Sequence, residues 1–199
     1  MAVVLAIGLG ATTIYGAYPF LAINDPRLHD YLILEGWTIS SRSVLRQTAA
    51  AYRNGHYRGL LIAEEVYGDQ ELDRYWYPQS HDVVDTLAKY GVPCDAVTII
   101  AYPAVERDRT YRAATAAKEW FIRNKVPIQS ADVATIGPHA RRSRLLFQQA
   151  FGSVGKIGVI ALTDELYDPT HWWATSEGFR EVQGEAVAYL YARFYLLWR

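Results

Sequence analysis

Cysteine is almost missing from this chain: its 199 residues include only Cys94. A single cysteine excludes an internal disulfide and any cysteine-rich metal site, and leaves the redox compartment open. Histidine is sparse too. His56, His81, His139 and His171 are scattered without ligand spacing, so no metal is expected. There is no Walker loop, no Gly-x-Ser-x-Gly elbow, and no Gly-x-Gly-x-x-Gly between a fitting strand and helix. Standard phosphate cradles and hydrolase nucleophiles are thereby disfavoured, and no cofactor is expected. A formal net charge of -1 gives no nucleic-acid footprint.

Charge is missing altogether from Ala2 to Ile23. About 20 apolar residues suffice for a helix to cross a bilayer, so this segment is expected to be a transmembrane anchor. Gly8, Gly10 and Gly16 would allow close packing against another helix, and Tyr15, Tyr18 and Pro19 suit an interfacial end. A cleaved signal peptide would call for a basic n-region and a small-residue cleavage site, and neither is evident. The remaining alternative is a buried strand or helix of the core. The expected organisation is an anchor over residues 1–23, a connector over 24–30 and one α/β domain over 31–199.

What the chain does have suits one core. It is 51% hydrophobic, enough for a single globular domain, and its 15 tyrosines and 6 tryptophans fit a large core or a membrane-interface belt. Strand and helix patterns alternate after the connector. Apolar runs at Tyr31–Leu34, Gly59–Ala63, Ala96–Ala101, Val133–Ile136 and Lys156–Leu162 predict about five strands. Helices are expected over Ser41–Asn54, from a Ser80 cap to Gly91, from an Asp108 cap onward, after Pro138, and over Ser176–Leu197. Residues 64–79 are expected to form a long polar and aromatic loop. Such units imply a Rossmann-like parallel sheet with helices on both faces. The second half of the last helix, Ala186 to Trp198, is apolar nearly all round. It is expected to pack over the sheet, to dock on the membrane surface, or to meet a neighbouring subunit.

Polar residues collect at the strand ends. Glu35 follows the first, Glu64 and Glu65 the second, Asp108, Arg109 and Thr110 the third, and His139, Arg141 and Arg142 the fourth. In a parallel sheet these ends share one edge, where α/β folds bind ligands. Arginines at a helix N-terminus suit a phosphate or carboxylate, and His139 and Glu35 are candidate acid/base groups. Each also has a plainer reading: Asp108 as a helix cap, the arginines as a solvated face, His139 as a partner of a loop carbonyl.

Glu35-Gly36-Trp37, Gly91-Val92-Pro93, Asp108-Arg109-Thr110-Tyr111, Gly137-Pro138-His139-Ala140-Arg141-Arg142-Ser143-Arg144 and Trp172-Trp173 occur in an order that resembles the YdcF/SanA/ElyC-like bacterial family. The resemblance covers roughly residues 31–195. It implies a Rossmann-like domain, often behind an N-terminal membrane helix, commonly lying outside the cytoplasmic membrane and linked to envelope biogenesis. The chain departs from the family where a Ser-Gly-Gly or Thr-Gly-Gly turn follows the second strand, since here it has Ala63-Glu64-Glu65-Val66-Tyr67. The expectation is that Glu64 or Glu65 pairs with Arg141 or Arg142 and fills the anion site. Two functions follow. One is a membrane-anchored, non-catalytic accessory subunit, bound to the bilayer and to a membrane-protein partner through residues 2–23 and the C-terminal helix. The other is an envelope enzyme or binding protein for a phosphorylated or carboxylated precursor.

Overall fold

The computed structural model describes residues 15–27, 30–66 and 77–197. Ten principal elements alternate: β1 (Tyr31–Glu35), α1 (Arg42–Gly55), β2 (Gly59–Val66), α2 (Tyr77–Lys89), β3 (Val97–Pro103), α3 (Arg109–Arg123), β4 (Ser130–Ile136), α4 (His139–Phe151), β5 (Lys156–Leu162) and α5 (Ser176–Leu197). The five strands form one parallel sheet in the order β3-β2-β1-β4-β5. β1 is central, with Leu34 in register with Ile62 of β2 and with Ala134 of β4.

Side chains of a strand alternate between sheet faces, and the core divides accordingly. Ile33, Leu61 and Val133 pack with Ala117 and Phe121 of α3 and Phe147 and Phe151 of α4. Leu32, Leu34, Leu60 and Ile62 pack with Val44, Leu45 and Ala49 of α1 and Val83 and Leu87 of α2. Both faces are therefore covered, which explains why the strands read as continuous apolar runs. The Ser41 hydroxyl accepts from Val44 N (3.4 Å) and starts α1. α2 begins at Tyr77, so Ser80 lies inside the helix and is not its cap. The expected 64–79 loop is also shorter, because β2 continues to Val66 and carries Glu64 and Glu65 as strand residues; residues 67–76 lie outside the described residues.

α5 does not lie over the sheet. It packs on α4 and on a 3₁₀ turn, Pro169–Ala174. Residues 15–21 are helical and pack beside it: Leu21, 1% exposed, joins Tyr167, Trp172 and Val182 in a third cluster. Next, Asp25 makes an antiparallel bridge to Val159, and Arg27 N donates to the buried Asp132 carboxylate (2.7 Å). Residues 15–27, from the end of the expected anchor into the connector, thus belong to the folded body. Among the described residues no helix is long and apolar enough to cross a membrane; residues 2–14 of the expected span lie outside them.

Candidate functional site

The chain runs outward from β1 to β3 and then returns to place β4 on the other side of β1. At such a reversal the crevice beyond the strands' carboxyl ends is open to a ligand. A cavity of about 670 Å³ lies there, lined by residues from β1, β2, β3, α3, α4 and α5.

Its inner end is built from β1. Glu35 is 1% exposed; its Oε2 accepts from Ser143 Oγ of α4 (2.8 Å), and among the described residues its Oε1 has no hydrogen-bond partner. Gly36 follows where β1 passes tightly against β2: a Cβ there would lie 2.5 Å from Ala63 O. Only glycine admits that approach. Trp37 then projects, half exposed, with its ring 4.8 Å from that of His139.

β2 and β3 supply one wall. Glu64 and Glu65 line it, and Glu65 Oε1 accepts from Val105 N (2.9 Å). The buried Tyr102 phenol stands beside them. Burial pushes its pKa up, and the charges of Glu65 and Glu35 add to this, against the opposing Arg109 and Arg112. Asp108 occupies the position before α3 but makes no side-chain cap bond; its backbone is left-handed at φ 58°. The plain cap expected there is not formed. Asp108 and Arg109 are exposed at the rim, and a left-handed non-glycine residue beside a cavity is a feature often found at binding sites.

The opposite wall comes from α4 and α5. Gly137, at φ 39°, turns the chain from β4 into α4 and brings His139 and Arg142 to the first helical turn. Arg142 meets Glu185 of α5 in a two-pronged pair, Nε to Oε2 at 2.8 Å and a terminal nitrogen to Oε1 at 3.1 Å. Another Arg142 nitrogen donates to Thr110 Oγ1 (3.2 Å). His139 Nε2 lies 2.9 Å from Glu185 Oε1, and its Nδ1 lies 2.9 Å from the Arg142 guanidinium. Burial alone would raise the Glu185 pKa, but hydrogen bonds and charge from His139 and Arg142 hold it at about 2.

The structure thus brings Glu35, Glu64, Glu65, Asp108, Arg109, Thr110, His139 and Arg142 to one cavity. Arg141 does not join them. It turns away, hydrogen-bonds Phe20 O, and lays its guanidinium 4.0 Å over the Phe20 ring. The expected pairing of Glu64 or Glu65 with Arg141 or Arg142 is replaced by Glu185. Glu185 was not picked out as a site residue, and its one signal in the sequence is its place just before the apolar half of the last helix. Tyr102, Trp37 and Ser143 were likewise not picked out as site residues. Among the described residues, the lining carries Glu35, Glu64, Glu65, Glu106, Asp108 and Glu185 beside Arg109 and Arg142.

The chain matches no protein-family model, and no curated protein or solved structure matches it either.

Proposed function

We propose that the chain is a non-catalytic, ligand-binding accessory domain of the YdcF/SanA/ElyC-like kind, working at a bacterial envelope membrane beside a membrane-protein partner. The observation that carries the reading is the closure of Glu185 on His139 and Arg142. The groups best suited to hold an anion and move a proton already serve one another, while a cavity remains next to them. A buried, bidentate arginine–carboxylate pair holds strongly once formed, because separating its partners strands a charge.

Membrane association in this proposal rests on an uncharged stretch of sequence and on one apolar face. Residues 2–14 carry no charge, and Val187, Leu190, Tyr191 and Phe194 form an exposed stripe on α5. The test is fractionation of cells expressing the full chain, repeated for Val187→Asp/Phe194→Asp. The expected result is membrane association that the double variant loses. Recovery of the intact wild-type chain only in the soluble fraction, as a lone monomer, would contradict it.

A second reading, an enzyme or binder for a phosphorylated or carboxylated envelope precursor, draws on the exposed Arg109 at the rim and on His139. It requires Glu185 to withdraw and release Arg142.

A further inference from the structure

We propose that the helical residues 15–21 are held on the domain by a proton switch: one proton shared between the Glu181 and Asp164 carboxyls keeps the segment docked, and its loss releases it. The switch lies outside the strand-end cavity, on groups that the proposed function does not use.

The segment's seat is separate from the two faces of the sheet. Ala17, Tyr18 and Leu21 pack with Tyr167, Trp172 and Val182 in a cluster of their own, so the seat can open while the sheet stays folded. The Tyr18 and Tyr167 rings meet edge to face, with centroids 6.3 Å apart. Their hydroxyls converge on Gly137, where a Cβ would lie 3.0 Å from Tyr18 Oη and 3.8 Å from Tyr167 Oη. Glu181, next to Val182 on α5, and Asp164, two residues beyond β5, hold both phenols within their fields. The two carboxyls hydrogen-bond each other, which requires one of them to carry a proton. Burial, the charge of Asp164 and that hydrogen bond raise the Glu181 pKa to about 7. The proton is therefore exchanged near neutral pH.

The surroundings do not offset a second negative charge. Residues 15–23 carry none of their own. Tyr15 turns to Trp173, and Tyr18 stays neutral, because burial and the charges of Glu181 and Asp164 push its pKa to about 12. Burial and the same carboxyls also push Tyr167 up, and Glu185, one turn along α5, is itself a carboxylate. Among the described residues, the cations of the surrounding elements are engaged elsewhere. His139 and Arg142 meet Glu185, Arg141 meets Phe20, Arg144 meets Asp25, Arg46 meets Glu165 and Arg180 meets Glu177. Ionising both carboxyls beside an apolar cluster calls for water, and lifting the uncharged segment admits it. The chain beyond stays tethered by the bridge of Asp25 to Val159 and by the bond from Arg27 N to Asp132.

The test is amide hydrogen exchange of the full chain from about pH 5 to about pH 8, expressed as protection factors, which divide out the intrinsic pH dependence of exchange. Ala22 N, which donates to Tyr18 O (2.8 Å), reports the segment, and Ile33 of β1 reports the domain. Glu181 has its raised pKa only in the docked state, so docking is strongest below 4.5 and weakens as pH rises through about 7. Ala22 protection should fall nearly tenfold per pH unit up to about 7 and level off above it, remaining well below that of Ile33. Glu181→Gln, whose amide can donate to Asp164 at every pH, should keep Ala22 protected with no such fall. Asp164→Asn, which removes the neighbouring charge, should shrink the fall. The proposal is overturned if wild-type Ala22 protection is constant over this range, or if both variants fall as the wild type does. Equal protection of Ala22 and Ile33 would overturn it too, because the carboxyl pair would then act on the whole domain and release no segment.

Discussion

Glu185 decides the character of the site, and its effect should appear in the pH dependence of stability. Its carboxyl is held at about 2 in the folded protein, below the usual 4.5. The stabilisation is therefore fully present above 4.5 and is lost as pH falls toward 2, with a size of about 3 kcal/mol. One turn earlier, Glu181 behaves in the opposite sense: burial, the charge of Asp164 and a hydrogen bond with it raise its pKa to about 7. The folded state then keeps a proton that the unfolded chain releases, so stability declines as pH rises from 4.5 through about 7. Urea denaturation across this range should show both slopes. Glu185→Gln should remove most of the acid-side slope, and Glu181→Gln most of the decline toward neutral pH. Unchanged slopes in both variants would refute these assignments. Neither partnership was legible in the sequence. Glu185 lies 43 positions from Arg142, and nothing local links them. Glu64 and Glu65 attracted the pairing because they sit at a strand end, yet Glu65 turns a carboxylate oxygen to Val105 N.

Among the elements, those set by local pattern were the most legible. β5 and α5 have the expected bounds, and α4 follows Pro138 as expected, burying Leu146, Phe147, Ala150 and Phe151. Ser41 caps α1 as its hydroxyl allows. Asp108 shows where local reasoning fails, because a left-handed backbone at its position prevents the ordinary cap geometry. The helical residues 15–21 were the larger surprise. Their lack of charge suggests lipid, but the same property allows Ala17, Tyr18 and Leu21 to pack against Tyr167, Trp172 and Val182. Arg141 then holds Phe20 from outside. Leu21→Ala should cost about 3 kcal/mol in urea denaturation, and Phe20→Ala less, because that ring is half exposed. A Leu21→Ala protein as stable as the wild type would mean that the segment is not docked in solution.

For the molecule as a whole, the alternation of strands and helices was enough to imply a parallel sheet, and with it a shared edge for the strand ends. The strand order was not legible, since it depends on which side of β1 the returning β4 takes. That order makes a central crevice of the edge and gathers residues from Glu35 to Ala192 around it. The sequence sets Arg141 and Arg142 side by side, whereas the fold keeps Arg142 at the cavity beside Glu185 and turns Arg141 to Phe20. In the proposed function Glu185 stands where an anionic ligand would, and titrating inorganic phosphate into the wild type and into Glu185→Gln tests this. No detectable binding by the wild type and a gain of binding by Glu185→Gln are predicted. Phosphate binding by the wild type that Glu185→Gln leaves unchanged and Arg142→Ala abolishes would contradict it.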